Sequence, residues 1–381
     1  MFLLALFYIS ALLLWLSTFG YWWLLVRRNR NRPVRIATEP EQWPCITVVV
    51  IALNEREFIA DKLNDLQKTR YEEGCLKILV VDGGSTDGTV EWVMGCQASN
   101  WPVELIQVEQ INWKSNQINE AIKAAETDIV VFTDADTSLE PDCISRLVAA
   151  LVNQPDLAVA GAWVKPDSIL PEEQFHWRLV NRLWHMEGEI YGSAGSSGVC
   201  NAVYQSRFSN RFHSRNQADD IEWTLEATRN YQRARIIKEA IAYEHRVPDT
   251  LGEMIRIRAR RAHGYHQVLF EGRGHGESRL EDHSVQQIRR MQMILNPALL
   301  LILLISAAGL LVTGSSLPVL WVAVLFLASF WFWSLDLLEH VGAWLRIKTL
   351  ARWFTATVLG LSKLWLRPVE NHGRFGQQSN S

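Results

Sequence analysis

Short clusters of acidic side chains occur along the central part of this 381-residue chain. Asp134 and Asp136 directly follow an apolar run, Asp82 ends another, and Asp219 and Asp220 open a helical run. Two carboxylates one residue apart at a strand end suit a divalent cation such as Mg²⁺ or Mn²⁺, which often shares its other coordination positions with water and phosphate oxygens. Taken alone, the pair also fits two solvated turn residues.

The turn after Asp82 contains two adjacent glycines and two hydroxyl side chains, Ser85 and Thr86, either of which can cap the next helix. It fits either a well-made strand-to-helix turn or a nucleotide contact in which Asp82 accepts hydrogen bonds from a base or ribose. The chain has no GxGxxG or GxxxxGK[ST] segment, which argues against dinucleotide and P-loop sites.

Asp219 and Asp220 also have two interpretations. An acidic helix start is favoured by the helix dipole, whereas a carboxylate base would remove a proton from an acceptor hydroxyl. A group of arginines further along fits anionic lipid head groups, a nucleotide diphosphate or a solvated face. Its members are Arg256, Arg258, Arg260 and Arg261.

Short apolar runs alternate with helical runs from about residue 44 to residue 275. We predict strands at 46–53, 76–82, 103–108 and 128–134, and helices at 57–69, 86–98, 116–125 and 141–152. This alternation predicts an α/β domain with an open, mainly parallel sheet covered by helices on both faces. Ligands collect at the carboxyl ends of such strands, where Asp82, Asp134 and Asp136 lie.

The amino-terminal segment, residues 1–26, carries no charged side chain and is long enough to cross a hydrocarbon core of ~30 Å as a helix. A cleaved signal peptide would instead need a basic start, a shorter apolar region and a small-residue cleavage site. Five arginines lie between residues 27 and 35, in a basic linker, 27–43. Positive residues stay on the cytoplasmic side, so we expect a membrane anchor with its amino terminus outside.

The carboxy-terminal region predicts a transmembrane hairpin at 291–338, after a linker at 276–290. Basic residues flank the hairpin on both sides, which predicts a multi-pass protein of the inner membrane with a cytoplasmic catalytic domain. Residues 343–367 predict an amphipathic helix in the membrane interface, or else a fourth span, and 368–381 form a polar tail. The aromatic and basic segment 175–184 is expected either along the bilayer or over the sheet.

Composition excludes several classes of protein. Lys and Arg total 38 against 41 Asp and Glu, a formal charge of −3, which gives no support to a nucleic-acid partner. The five cysteines form no CxxC pair, so a disulfide framework or zinc ribbon is not expected and reduced thiols in a cytosolic domain fit better.

The order of the motifs resembles that of the membrane-bound inverting glycosyltransferases of family two, which have the GT-A fold. The similar segments are Val49–Glu55, Asp82–Thr89, Lys114–Asn119, Asp134–Asp136, Gly198–Asn201 and Asp220, and the resemblance covers about residues 45–265. It implies a nucleotide-sugar donor, a divalent cation held mainly by Asp136 with Asp134 in support, and Asp220 as the general base.

The resemblance also assigns residues to the two substrates. It implies that the donor is contacted by Ala52, Asn54, Glu55, Asp82, Lys114, Asp134, Arg258 and Arg260. It places Gly198, Asn201 and Asp219 on the acceptor side. Ala218 and Asp219 replace the first two residues of the family's Thr-Glu-Asp motif.

The family's Gln-Arg-x-Arg-Trp motif falls on residues 257–261, where Arg258 and Arg260 match but the Gln and Trp are absent. In processive polysaccharide synthases that Trp helps to hold the growing chain. Its absence favours transfer of one sugar, with UDP-sugar as the expected donor and a lipid or lipid-linked hydroxyl as the acceptor. A processive synthase and a non-catalytic membrane scaffold with a relic transferase domain are the alternatives.

Overall fold

The computed structural model describes residues 1–32, 38–108, 114–208, 218–229, 232–271, 284–337 and 343–366. Within these residues, eight strands form a single sheet. They are β1 (Ile46–Ala52), β2 (Leu76–Asp82), β3 (Val103–Gln107), β4 (Ile129–Asp134), β5 (Thr137–Leu139), β6 (Leu157–Pro166), β7 (Cys200–Tyr204) and β8 (Arg233–Glu244). Their order across the sheet is β3-β2-β1-β4-β7-β6-β8-β5.

The helices lie on both faces of the sheet and at both ends of the chain. They are α1 (Phe2–Trp15), α2 (Tyr21–Asn29), α3 (Ile59–Gln67), α4 (Thr89–Ala98), α5 (Lys114–Ala124), α6 (Cys143–Asn153), α7 (Pro171–Ile190), α8 (Asp219–Arg229), α9 (Leu251–His266), α10 (Ser284–Val312), α11 (Ser316–Leu337) and α12 (Ala343–Leu366). A π-helical segment, Leu16–Gly20, joins α1 to α2.

The sheet is mainly parallel, as its sequence predicts. β1 is apolar except for Thr47 and is buried along its whole length, because helices cover both of its faces. It pairs in parallel with β2 and β4, and β2 pairs in parallel with β3. Two strands are exceptions: β7 runs antiparallel to both β4 and β6, and the edge strand β5 runs antiparallel to β8.

The predicted strands agree with the structure to within one residue at each end, whereas three of the four predicted helices, α3, α4 and α6, begin two or three residues later than predicted. The second of these begins at Thr89 rather than residue 86, because Thr86 and Asp87 remain in the turn. The backbone N–H of Thr86 donates to Oδ1 of Asn54 at 2.9 Å, and that of Thr89 donates to Oδ1 of Asp87 at 3.0 Å. These bonds extend the loop at the carboxyl end of β2.

Three helical segments are long and apolar enough to cross a membrane within the described part of the chain: Phe2–Asn29, Val285–Val312 and Ser316–Trp333. α10 begins at Ser284, before the predicted hairpin start at Met291, so Arg289 lies inside its first turns. α12 is not one of the three. It packs on α9 and α7, where Arg352 Nε lies 3.0 Å from a carboxylate oxygen of Glu172.

Helix α7 contains the aromatic and basic segment 175–184 and joins the sheet to the membrane helices. Its Asn181 side chain bonds the backbone of Val164 in β6, accepting at 3.2 Å and donating at 2.7 Å. Three residues earlier in the helix, Arg178 donates to the carbonyl of Leu337 in α11 at 2.9 Å. The segment therefore covers the sheet and also contacts the helices of the two apolar regions.

Candidate active site

The acidic residues predicted from the sequence gather at the carboxyl edge of the parallel strands. Ile51 of β1 is in register with Asp134 of β4, and the next residue, Ala52, is in register with Asp82 of β2. Two strand spacings, about 10 Å, therefore separate Asp82 from Asp134. Residues that follow β8 and begin α5 and α8 complete the cleft.

Lys114 lies at the centre of this cleft. Its Nζ is 2.8 Å from Oδ1 of Asp134 and 3.2 Å from Oδ2 of Asp219, and it donates to the carbonyl of Gly198 at 3.4 Å. Burial alone would lower the pKa of Lys114, but the two carboxylates reverse this and raise it. The ammonium of Lys114 therefore contacts Asp134, which is expected beside the donor and the metal, as well as Asp219 and Gly198, which are expected on the acceptor side.

Burial also changes the acidity of the neighbouring carboxylates. It raises the pKa of Asp134 to about 6, opposed by Lys114 and reinforced by Asp136 and Asp219. It raises the pKa of Asp220 to about 7, reinforced by the charge on Asp219 and opposed by Lys114. Asp220 is therefore close to half-ionised near neutral pH, which suits a general base.

Asp136 faces a cation that the sequence analysis did not single out. Arg246, just after β8, places Nη1 3.3 Å from Oδ2 of Asp136 and holds both oxygens of Glu55, at 3.0 and 2.7 Å. Burial raises the pKa of Glu55 to about 7 although Arg246 opposes it. Arg246 belongs to no motif, and the sequence analysis predicts no strand at β8, so it gave no signal for this residue.

Asp82 and Asn54 shape the wall of the cleft on the β2 side. The buried Asp82 carboxylate accepts from the N–H groups of Gly84 and Ser85 at 2.8 and 2.9 Å and from the Ser85 hydroxyl. Asn54 adopts φ 56°, a left-handed conformation that asparagine tolerates, and its own N–H donates to Ser85 Oγ at 2.7 Å. The carbonyl of Ala52 accepts from Gly83 N–H at 2.9 Å.

The two arginines of the matched motif point in different directions. Arg260 is exposed and lies within electrostatic reach of Arg246, Glu244 and Asp136. Arg258 is buried away from the cleft, where its Nη1 donates to Thr357 of α12 at 2.7 Å. The expected contact between Arg258 and the donor is therefore not present, because this side chain joins α9 to α12.

Glu244 and Arg261 form a second pair that sequence reasoning missed. Nη2 of Arg261 lies 3.0 Å from Oε1 of Glu244, and the remaining oxygen, Oε2, is buried with no hydrogen bond in the described residues. Burial raises the pKa of Glu244 to about 7, with Arg261 opposing and Glu173, Asp136 and Asp134 reinforcing the shift.

Of the acceptor-side residues, Gly198 lies in the loop before β7, Asn201 lies in β7 and Asp219 begins α8. A Cβ added to Gly198 would meet no heavy atom within 4 Å, so this residue borders open space beside Lys114. Asn201, by contrast, is buried and its side chain bonds Ser196 and Ser197 of its own loop. Asn201 therefore supports the loop from within.

The carboxylates fit a divalent cation in chemistry and in arrangement. Asp134 and Asp136 offer hard oxygen ligands, and the contacts of Lys114 and Arg246 with them are to Oδ1 of Asp134 and Oδ2 of Asp136. The described residues contain no group of three or more His, Cys, Asp or Glu side chains placed to hold a metal. A cation at this pair would therefore need further ligands, such as water and phosphate oxygens.

Comparison with known proteins agrees with this architecture. Residues 47–217 match the model of the family described as Glycosyl transferase family 2. The poly-beta-1,6-N-acetyl-D-glucosamine synthase of Staphylococcus epidermidis is 25% identical over 272 residues, which cover 67% of this chain and 63% of that protein. The dolichol-phosphate mannosyltransferase of Pyrococcus furiosus is 30% identical over 149 residues, or 38% and 40% of the two chains. The chain thus spans less than two thirds of the length of these relatives.

A solved structure shares the fold along most of the chain. It is a mannosyltransferase from Pyrobaculum calidifontis in complex with GDP-Man and Mn²⁺, with a TM-score of 0.73 and 22% identity over 96% of this chain and 100% of that one. Residues 47–217 therefore form a domain that matches glycosyltransferase family 2, and the chain has the GT-A fold.

Proposed function

We propose that the chain transfers a single sugar, with inversion, from a nucleotide-sugar donor to a hydroxyl of a lipid or lipid-linked acceptor at the cytoplasmic face of the inner membrane. The observation that carries this proposal is the contact of Lys114 with both Asp134 and Asp219. Lys114 thereby connects Asp134, which is expected beside the diphosphate, to the start of α8, which carries the candidate base Asp220. Donor and acceptor would thus meet in one cleft.

Asp220 is the proposed base. A carboxylate whose pKa lies near 7 is partly ionised at neutral pH and still basic enough to remove a proton from an attacking hydroxyl. Attack on the anomeric carbon from the side opposite the leaving diphosphate inverts the configuration there. Lys114 holds the adjacent Asp219 and so orients the first turn of α8 towards the reacting atoms.

The leaving nucleoside diphosphate needs positive charge. Asp136 and Asp134 would hold Mg²⁺ or Mn²⁺, which when bound supplies charge stabilisation to the departing phosphate oxygens. Arg260 is exposed at the cleft, and Arg246 lies next to Asp136, so both guanidinium groups can bind phosphate oxygens directly. Arg258 has no part in this step, because it binds α12.

The proposed acceptor follows from the position of the domain between apolar helices. Three helical segments are suitable to span a bilayer, and α7 contacts both α2 and α11 while covering the sheet of the catalytic domain. A lipid hydroxyl presented at the membrane surface would therefore lie near the domain. Arginines after the first span and before the second favour the cytoplasmic side, where nucleotide sugars are made.

A processive polysaccharide synthase is the second candidate. It is favoured by the similarity to poly-beta-1,6-N-acetyl-D-glucosamine synthase over 272 residues. Against it stand the missing Gln and Trp at the ends of the 257–261 motif. A relic scaffold has less support, because the carboxylates and cations of the cleft are present and Lys114 and Arg246 between them contact four of the carboxylates.

The test is a donor screen with the purified full-length chain in membrane lipid extract. Radiolabelled UDP-sugars and GDP-mannose are supplied with Mn²⁺, and the products are analysed by solvent extraction, mass spectrometry and a sizing gel. We expect label in the lipid phase, in a product one sugar heavier than a lipid of the extract. Label confined to a water-soluble polymer would support the synthase instead, and no transfer from any donor would support the scaffold.

A further inference from the structure

A lysine that belongs to no motif is buried beneath the acidic turn. Lys62 of α3 is 1% exposed, although lysine is almost never fully buried unless it has partners. Its Nζ lies 2.8 Å from Oγ1 of Thr133, 3.1 Å from Oγ1 of Thr137 and 3.2 Å from the carbonyl of Thr137. Those two threonines flank the Asp134–Asp136 segment on either side.

The directions of these hydrogen bonds are fixed by counting protons. The hydroxyl of Thr133 lies 3.0 Å from the carbonyl of Val199, and that of Thr137 lies 2.8 Å from the carbonyl of Asp134. A carbonyl can only accept, and each hydroxyl has one proton, so both hydroxyls donate to these carbonyls. Their oxygens are therefore free to accept, and Lys62 is the donor to both.

Through these hydroxyls, Lys62 joins two parts of the cleft. The carbonyl of Val199 accepts from the Thr133 hydroxyl and also from the N–H of Asp134, at 3.3 Å. The preceding carbonyl, that of Gly198, lies 3.4 Å from Lys114 Nζ. The ammonium of Lys62 thus supports the acidic turn and the acceptor-side loop at once, from the side opposite the cleft.

We propose that Lys62 is a positioning residue that holds the Asp134–Asp136 turn and the Gly198–Cys200 segment in the arrangement that binds the cation and nucleotide. The proposal rests on the proposed function, because it assumes that these carboxylates hold the cation. Outer partners that orient metal ligands commonly change metal affinity or activity by about 10- to 100-fold when they are removed. Lys62 differs from the usual case because it acts through two threonines and touches neither carboxylate.

The experiment measures Mn²⁺ binding to the purified full-length chain by the electron paramagnetic resonance signal of free Mn²⁺, with UDP and, in parallel, with GDP. Lys62→Met keeps an unbranched side chain, one atom shorter, and removes the donor. We expect its Mn²⁺ affinity to be about tenfold weaker in the presence of the nucleotide. The matched control is Lys77→Met, at an exposed lysine near the opposite edge of the sheet, which should bind as the natural chain does.

The possible results separate the two proposals. If the natural chain binds no Mn²⁺ with either nucleotide, the proposed cation site is refuted. If it binds Mn²⁺ and correctly folded Lys62→Met binds equally well, the role of Lys62 is refuted. A merely structural lysine would lower the yield or unfolding temperature of the variant without changing the affinity of the folded molecules.

A second pair of variants covers the case in which Lys62→Met does not fold. Thr133→Val removes the hydroxyl between Lys62 and Val199, and Thr133→Ser keeps it. We expect weaker Mn²⁺ binding for the valine variant and near-normal binding for the serine variant. Equal affinities for the two would overturn the proposal.

Discussion

At the scale of single residues, the cleft pairs each group of carboxylates with a cation from another element. Lys114 bridges Asp134 and Asp219, and Arg246 bridges Glu55 and Asp136. Among the described residues, no such cation bridges Asp220, and its charge is disfavoured by burial and by Asp219. This difference fits the proposed division between a base that takes up a proton and groups that hold a charged ligand.

The first prediction concerns the base. Asp220→Asn keeps the shape of the side chain and removes its ability to accept a proton, so we expect transfer to fall by about 10²- to 10⁴-fold. Binding of the nucleotide sugar should change little, because Asp134 and Lys114 remain. Turnover with the lipid extract and calorimetric titration with the donor measure the two effects separately.

Asp128→Asn is the matched control, since this aspartate is exposed just before β4 begins, at the opposite edge of the sheet. It should transfer sugar at the natural rate. Near-normal turnover by Asp220→Asn would remove Asp220 from the mechanism, whereas loss of donor binding would show that its role is structural.

The second prediction is the pH dependence of transfer. The base must be ionised, and burial raises the pKa of Asp220 to about 7, so kcat/KM should fall as the pH decreases through about 7. Initial rates between pH 5.5 and about 8.5 measure this limb. Because Asp134 and Glu244 have raised pKa values of about 6 and 7, the apparent value belongs to the coupled cleft.

The pH dependence of the stability against unfolding gives an independent check on the raised pKa of Asp220. A carboxyl whose pKa is higher in the folded than in the unfolded state contributes stability that is complete below about pH 4 and is lost as the pH rises through about 7. Asp220→Asn has no such loss. Its unfolding temperature, relative to that of the natural chain, should therefore be higher at pH 8 than at pH 5, and a constant difference would contradict the raised pKa.

At the scale of the elements, the sequence predicts the parallel half of the sheet well and the rest poorly. β1, β2 and β4 are continuous apolar runs, so their type and direction follow from composition and alternation with helices. The antiparallel insertion of β7 between β4 and β6 does not, because it depends on how the loop before β7 reverses the chain. No local pattern encodes that reversal.

Packing between distant parts of the chain also decides which of the two arginines of α9 meets the cleft, and the sequence pattern does not show this. Residues two positions apart on an α-helix are separated by about 200° around its axis, so Arg258 and Arg260 must face nearly opposite sides. The motif identifies both residues, but the side that meets the cleft is set by the packing of α12 on α9. Arg258 therefore contacts Thr357, and Arg260 lies towards Arg246.

The third prediction compares two glycines in regular elements. A Cβ at Gly161 of β6 would lie 2.5 Å from Ser196 Oγ and 2.9 Å from Asn201 Oδ1, so Gly161→Ala must displace the acceptor-side loop. We expect a loss of about 1–3 kcal/mol and weaker acceptor binding. Gly95 of α4 has no heavy atom within 4 Å of such a Cβ, so Gly95→Ala should stabilise by about 0.5–1 kcal/mol.

Thermal unfolding of both variants and the acceptor KM measure these effects. Gly95→Ala also serves as the control, because the same substitution in open space should leave the acceptor KM unchanged. If Gly161→Ala is as stable as the natural chain, the loop does not pack on β6 as closely as the distances indicate.

At the scale of the whole molecule, the apolar helices contribute to the framework of the cleft. Glu187 of α7 is fully buried and accepts from Tyr21 of α2 at 2.9 Å, from Arg289 of α10, and from the N–H of Ala194 at 3.2 Å. Ala194 lies in the acceptor-side loop, and its carbonyl also accepts from Gln286 of α10 at 3.4 Å. Helix α10 is thus bonded directly to the loop that carries Gly198, and α2 is connected to that loop through Glu187.

The last prediction follows from this buried network. Arg289→Met leaves the carboxylate of Glu187 buried without its cation, and breaking a buried ion pair on one side costs about 3–5 kcal/mol. Burial already raises the pKa of Glu187 although Arg289 opposes it, so loss of the arginine should shift Glu187 towards its protonated form. We therefore expect a lower unfolding temperature in detergent and a higher acceptor KM, because the N–H of Ala194 loses part of its anionic acceptor.

The double variant Glu187→Gln with Arg289→Met decides whether the network acts through its charge. It removes both charges and keeps an amide oxygen for Tyr21 and Ala194, so it should recover much of the stability and of the acceptor KM that Arg289→Met loses. Tyr21→Phe removes one neutral hydroxyl and should cost only about 1 kcal/mol. If the double variant is as impaired as Arg289→Met, the arginine acts through its packing against α2, and the helices of the apolar regions would position the loop by shape alone.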